Sequence, residues 1–412
     1  MGDIKTLPSK TLSDICEFIV DCLHNTAPIQ DEGYPLIRTP NIGKGNLLLD
    51  DVQRVSHDTY KIWTRRATPQ KNDLILAREA SAGNVALIRD GQVVCLGQRT
   101  VHLRPNPKQV NPYFLCIYLL SPKIQAKLLS GETGATSRHV NMKDIRKLAM
   151  DDLPELTIQN TITSIIESYS IFIDTNRRRI QLLEETARFL FREWFVYFKF
   201  PGHEKVKIVD RGGKKMPAEW EYLPFTKIKL FKKAPLGVPV FTDIRQYCQT
   251  SEIDGTSITG DGEEVDYENR PSRADIAPRI NTVYFAKMKD TDKVLYFNKG
   301  NSDLLGKILL STGMVGFTTD EKYLGFLFGL LTSYEFVQYK NNFATGATQV
   351  SLNDASLKKI KALFPALNLV ELYSAMVNPL LEECSLLRSQ NQQLAQARDL
   401  LLPRLMSGAI EV

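Results

Sequence analysis

The chain has 412 residues, 43% hydrophobic and 24% charged, with a formal net charge of +5. That length suits two to four domains, and the composition is that of an ordinary globular protein with several cores. The longest apolar runs, such as residues 323–331, fall well short of the roughly 20 residues that cross a bilayer, so no membrane partner is expected.

The cysteines are Cys16, Cys22, Cys95, Cys116, Cys248 and Cys384, with no C-x-x-C spacing and only 5 histidines in the chain. This pattern excludes a structural zinc site and points to a reduced, cytoplasmic chain. Residues 1–148 carry a net +6 and residues 201–360 a net +2, which leaves −3 for the rest. An excess held in those two regions fits a polyanion partner there, although scatter of a few charges gives the same totals.

In chain order, residues 1–150 read as a strand-rich domain. Short apolar runs at 73–77, 85–88 and 93–96 are punctuated by Gly83, Asp90-Gly91 and Gly97, as strands and hairpins are. Residues 113–120 and 124–129 read as helix. Residues 151–200 change character. Ile158, Ile162, Ile165, Tyr169, Phe172, Asn176, Ile180, Leu183, Ala187, Leu190 and Trp194 recur in steps of three and four, a seam for another helix. The predicted helix over 154–198 ends at Pro201-Gly202.

Residues 201–360 return to strands and loops. Asn281-Thr282-Val283-Tyr284-Phe285-Ala286-Lys287 echoes Asn72-Asp73-Leu74-Ile75-Leu76-Ala77-Arg78. Residues 321–339 echo 112–129 as an apolar helix, and 255–266, rich in Gly, Ser, Thr and Asp, read as a mobile loop. Residues 361–412 repeat the helical segment, with a seam of Val370, Tyr373, Val377, Leu380, Cys384, Leu387, Asn391, Leu394, Arg398, Leu401 and Leu405. Pro379 should kink that helix or cap its first turn. Asn176 and Asn391 are polar residues on the seams, where they fix register at some cost in stability.

The two halves are linked by a repeated motif. Thr133-Gly134-Ala135-Thr136 returns as Thr345-Gly346-Ala347-Thr348, about half a chain length later. Repeats of this kind define the fold. The expected class is α+β: two strand-rich domains at opposite ends of an antiparallel pair of long helices, with pseudo-two-fold symmetry. Each copy of the motif is read either as a turn before a helix or as a small-residue loop approaching DNA.

No phosphate loop, dinucleotide fingerprint or catalytic triad spacing is present in the sequence. Asn111-Pro112-Tyr113-Phe114 lacks the second proline of amino-methyltransferase motifs and fits a loop before a helix. No catalytic residue, metal ligand or cofactor site is therefore assigned to this chain.

The carriers of a family resemblance are residues 187–196 (ARFLFREWFV), 400–408 (LLLPRLMSG), 391–395 (NQQLA) and 34–42 (YPLIRTPNI), together with the repeat. With these the chain resembles the DNA-specificity subunit of type I restriction–modification systems along its whole length. The resemblance implies two target-recognition domains, each reading half of an asymmetric bipartite site in double-stranded DNA. It implies two methyltransferase subunits docked chiefly on the helical regions, and restriction/translocase subunits joining them. S-adenosylmethionine, ATP and Mg2+ would belong to those partners. The alternative is a self-sufficient methyltransferase or nuclease with diverged motifs; a third reading is a protein-binding scaffold.

Polar and basic loop residues beside strand ends are the DNA-contact candidates. They are Arg38, Thr39, Asn41, Lys44, Arg78, Arg99, Arg138 and His139 in the first domain, and Arg273, Arg279, Lys287, Thr348 and Gln349 in the second.

Overall fold

The computed structural model describes residues 10–130, 139–151, 153–346, 350–406 and 408–410. The chain is α+β and divides into two compact units, Met1–Ile171 with Ala395–Val412, and Phe172–Leu394. Both boundaries fall inside long helices, Leu156–Phe191 and Leu367–Met406.

In the first unit a four-stranded antiparallel sheet has the order Cys16–Asp21, Thr100–Pro105, Leu74–Ala77, Val85–Leu87. Leu74–Ala77 is buried on both faces, which is why it reads as an unbroken apolar run. Beside it, Tyr34–Ile37 pairs antiparallel with Arg54–Val55 and parallel with Cys95–Leu96. Helices Pro112–Leu119 and Pro122–Leu129 each start on a proline, whose fixed φ and missing N–H suit a first turn. Asn111 caps the first of them, its side-chain oxygen accepting from the Tyr113 and Phe114 N–H groups. Ile162, Ile166 and Leu405 from the long helices complete this core.

The first unit also buries an ionic cluster. Asp73 accepts from Arg104 at 2.8 Å through both carboxylate oxygens and lies 2.6 Å from His102 Nε2. The Asp73 and His102 side chains are almost fully buried.

The second unit repeats this plan. Lys232–Lys233, Met314–Thr318, Thr282–Ala286 and Val294–Phe297 form an antiparallel sheet in that order. Arg245–Cys248 pairs antiparallel with Glu263–Val265 and parallel with Ile308–Ser311. Helices Leu324–Leu331, Tyr334–Phe343 and Asp354–Leu357 follow Pro112–Leu119, Pro122–Leu129 and Met142–Lys147 at one constant offset, which is also the spacing of the Thr-Gly-Ala-Thr motif. Asn72 and Asn281, which precede the matching strands, are both left-handed (φ 74° and 52°). Asparagine tolerates that conformation better than other side chains bearing a Cβ.

Several sequence expectations are revised. The predicted helix over 321–339 is broken at Thr332-Ser333, where the Ser333 hydroxyl caps a new helix by accepting from Phe336 N–H. The loop over 255–266 is structured. It contains a hairpin, Ile253–Asp254 with Ser257–Ile258, and the edge strand Glu263–Val265. The halves differ further on, where Ala274–Ile276 adds a strand on the second unit's sheet and the first unit has the helix His57–Trp63.

The first long helix stops being α-helical at Phe191 and passes through a π turn, Arg192–Val196, before left-handed Phe198. That turn seats Trp194 and Phe195 in an aromatic cluster with Phe191, Trp220, Phe326 and Tyr373. Gly329 makes the approach possible, because a Cβ there would lie 2.4 Å from the Phe191 ring. The second long helix runs through Pro379, so this proline does not cap the first turn.

Within the second unit the two long helices run antiparallel, since contacts ascend along one as they descend along the other. Asn176 donates to Asn391 at 3.0 Å, Cys384 to the Ile180 carbonyl at 3.7 Å, and Tyr373 to the Ala187 carbonyl at 2.7 Å. Tyr373 and Val377 are fully buried and Leu387 nearly so, while Asn391 and Leu394 are half-buried. On the first helix the innermost row is Gln159, Ile166, Ile173, Ile180, Ala187 and Trp194, a strict heptad spacing. Ile162 is buried, but Ile165, Tyr169, Asn176, Leu183 and Leu190 only flank that row, and Phe172 is 61% exposed. Leu401 is half-buried against the first unit's core.

Between these helices the second unit buries a charged network. Arg388 donates to Glu184, to the Tyr296 hydroxyl at 2.7 Å and to the Thr256 hydroxyl at 2.7 Å. Thr256 also donates to Glu184 at 2.7 Å, and Arg188 pairs with Glu184 at 3.1 Å.

Candidate nucleic-acid interface

The site is built from three loops at one end of the parallel strand pair in each unit. In the first unit, Tyr34–Ile37 delivers Arg38 into a short turn, Thr39–Asn41. The Arg38 N–H donates to Asn41 Oδ1 at 3.0 Å, so the Asn41 side chain closes the turn. Thr39 is buried, whereas Arg38 is exposed with its stem lying over Gly97. A Cβ at Gly97 would stand 3.1 Å from both the Arg38 side chain and the Ile37 carbonyl oxygen, a tight fit. Lys44 is exposed on the adjoining turn, whose Gly45 N–H donates to the Val85 carbonyl at 2.8 Å.

The second loop follows Leu74–Ala77. Arg78 N–H donates to the Arg99 carbonyl at 2.9 Å, and Val140 N–H donates to the Arg78 carbonyl at 3.0 Å. Arg78 itself is buried; its Nε donates to the Val140 carbonyl at 3.0 Å and its terminal nitrogen sits 2.8 Å from His139 Nε2. Glu79 holds His139 Nδ1 at 2.9 Å and Arg99 at 2.8 Å. The structure therefore brings Arg78, Arg99 and His139 together around Glu79, an acidic residue that loop-charge reasoning overlooks.

The buried Arg78 side chain ties two loops together. Arg78→Ala should leave the Val140 carbonyl without its side-chain donor and cost about 1–3 kcal/mol. We expect a lowered melting temperature and faster amide exchange around residues 139–142, with Arg38→Ala melting like wild type. Equal melting of both variants would contradict this assignment.

The second unit repeats the backbone frame. Lys287 N–H donates to the Gly313 carbonyl at 2.9 Å, and Leu352 N–H donates to the Lys287 carbonyl at 2.8 Å, matching both bonds of Arg78. Arg245–Cys248 delivers Gln249 into the turn Thr250–Glu252, and the Gln249 N–H donates to Glu252 Oε2 at 2.7 Å. The side chains here leave a cavity of about 410 Å³, lined in part by Gln249, Thr250, Arg273, Lys287, Thr312 and Ser351. Arg273 is exposed and Lys287 half-buried. Burial, then Lys233 and Arg273, push the Lys287 ammonium below its usual value, against the pull of Asp354. Lys233 pairs with Asp354 at 2.6 Å.

Arg279 does not join this group. It precedes the strand Thr282–Ala286, whereas Lys287 follows it, so a full strand length separates them. Arg138, Thr348 and Gln349 lie outside the described residues, as do the first Thr-Gly-Ala-Thr motif and the last two residues of the second. Reasoning from charge missed Gln249, Thr250, Thr312 and Ser351, which are neutral. The signal for Gln249 was the repeat, since it follows the second unit's parallel strand just as Arg38 follows the first unit's.

The thiols take no part in this site: burial pushes Cys22 and Cys95, for example, up to about 12. Among the described residues no group of three or more His, Cys, Asp and Glu side chains could hold a metal ion, and no helix is long and apolar enough to cross a membrane.

The type I restriction enzyme HindI specificity subunit of Haemophilus influenzae is 23% identical, with 75% of this chain and 79% of that protein aligned. The EcoBI specificity subunit of Escherichia coli is 24% identical over 36% of this chain and 31% of its own length. The crystal structure of a type I restriction-modification system S subunit from M. genitalium shares the fold, with a TM-score of 0.53 at 15% identity, covering 98% of this chain and 97% of that one. Residues 5–185 match the type I restriction modification DNA specificity domain, and the chain is similar to the specificity subunits of type I restriction enzymes and shares the fold of a type I S subunit.

Proposed function

We propose that the chain is the non-catalytic specificity subunit of a type I restriction–modification enzyme and reads an asymmetric bipartite site in double-stranded DNA, one half-site per recognition domain. The observation that carries this reading is the repeated loop frame. The backbone bonds of Arg78 and Lys287 are the same, while the side chains mounted on the two frames differ. One frame used twice with unlike side chains suits two unlike half-sites read by one chain. Basic and polar loop groups would hold phosphates and read base edges in the groove.

The long helices, which contribute to both units, would set the unread gap between half-sites, much as dimer spacing does for palindromic operators. Their outer faces would dock two methyltransferase subunits, and restriction subunits would join that assembly. S-adenosylmethionine, ATP and Mg2+ would be bound by those partners, and the reaction would be adenine-N6 methylation or cleavage. The assembly would work in the cytoplasm, where its DNA is.

The test is a genome-wide map of methylated adenine in the host with the gene intact and deleted. Deletion should erase one gapped, asymmetric motif, and exchanging residues 1–150 for another recognition domain should change only one half of it. A map unaltered by deletion would refute the specificity reading in a host whose partner subunits are expressed.

A further inference from the structure

The two recognition frames place one exposed side chain each at an equivalent point, and those side chains differ. Arg38 follows the last residue of Tyr34–Ile37, and Gln249 follows the last residue of Arg245–Cys248. Each of these strands runs parallel to a neighbouring strand, Cys95–Leu96 or Ile308–Ser311, which leads into the loop that carries Arg99 or Thr312. In both cases the backbone N–H is fixed by the side chain three residues on, Asn41 or Glu252. The backbone direction at the two positions is thus set in the same way, while the next residue, Thr39 or Thr250, is buried as an anchor.

The surroundings of each position suit a polyanion edge. Arg38 stands beside Gly97, in the loop that also carries Arg99. Gln249 borders the cavity that holds Lys287 and Arg273. Among the described residues the Arg38 guanidinium has no hydrogen-bond or ion-pair partner. An unpaired fork on a fixed backbone, next to cations that can hold phosphates, has the form of a base-reading element. Phosphate contacts set register, and the neighbouring fork then reads the edge.

We propose that Arg38 and Gln249 are equivalent specificity-determining positions, Arg38 selecting a guanine in one half-site and Gln249 an adenine in the other. The chemistry is that of the major-groove edges. Arginine donates two bonds to guanine O6 and N7, whereas glutamine donates to adenine N7 and accepts from adenine N6. The proposal rests on the specificity-subunit reading and adds to it the residue and the base.

The experiment exchanges the two side chains in the complete system. Adenine methylation is mapped in a host expressing the methyltransferase subunit with wild type, Arg38→Gln or Gln249→Arg. Arg38→Gln should replace one guanine by adenine in one half-site, and Gln249→Arg should do the reverse in the other, with the gap unchanged. Each base preference should shift by roughly 5- to 150-fold. Retention of the wild-type motif by both variants would overturn the proposal, as would changes in the half-site of the other domain.

If a variant methylates nothing, the purified methyltransferase complex is used to select duplexes from a pool randomised at each half-site. Selection of the exchanged base supports the proposal, and selection of the wild-type base, or of no preferred base at that position, refutes it. These outcomes all presuppose a motif that depends on the wild-type gene. If deleting the gene leaves the methylation map intact, it is the specificity reading that fails.

Discussion

Glu184→Ala is expected to lower the stability of the second unit by about 3–5 kcal/mol, because it leaves the Arg388 guanidinium buried without its carboxylate. For a unit of this size that corresponds to a fall in melting temperature of roughly 6–20 °C. The Arg388 side chain is 20% exposed and the Glu184 side chain 6%, so solvent cannot replace the lost partner. Burial by itself would weaken the protonated guanidinium, but Tyr296 and Glu184 outweigh it and raise its proton affinity. The Tyr296 hydroxyl is driven well above its usual value, first by burial and then by the Glu184 carboxylate, while Arg388 pulls the other way.

The charge itself need not be what stabilises the fold. A buried pair costs desolvation that its attraction only partly offsets, and apolar replacements of similar volume can be neutral or better. Glu184→Leu with Arg388→Met should therefore recover much of the loss, although Thr256 and Tyr296 would lose partners. Calorimetric melting of the two single variants and the double variant forms the cycle. If Glu184→Ala melts within a degree of wild type, the network is not holding the helices.

Asp73→Ala is the corresponding experiment in the first unit, with an expected cost of about 3 kcal/mol at neutral pH. Its pH dependence has a definite sign. Burial alone would raise the Asp73 carboxyl, but Arg104, His102 and the Gln70 N–H together hold it below the ordinary carboxylate value. A carboxyl whose folded value lies below its unfolded one, about 3.9, adds its full stability above the unfolded value. That stability is lost as pH falls through the folded value. The melting curves of wild type and Asp73→Ala should thus be separate from pH 5 to 7 and draw together as pH falls toward 2. A gap that stays constant over that range would show that the Asp73 charge is not the source.

Both networks consist of residues far apart in sequence, and this marks the limit of what a linear reading recovers. Arg78 looked like a DNA contact because it is basic and follows a strand. Its burial depends on Val140 and His139, distant in the chain, whose carbonyl and ring nitrogen receive it. The segment around Gly255 looked like a mobile loop by composition. It is ordered because the Thr256 hydroxyl seats on Glu184 and Arg388 of the long helices. The buried row on the first helix is offset from the expected seam at Phe172. Any stripe with apolar residues on two adjoining faces allows either choice, and only the partner helix decides between them.

The sequence by itself determined the two-fold plan, the strand at Leu74–Ala77 with its echo at Thr282–Ala286, and the two long helices. These are local or periodic properties: an apolar run between turn residues, a three–four spacing, and a motif that recurs in the second half of the chain. Tertiary structure alone decided which charged residues are buried in pairs and that the Gln249 N–H is held by Glu252 as the Arg38 N–H is by Asn41. Charge and exposure at those positions depend on which distant backbone groups close around them, and composition carries no record of that.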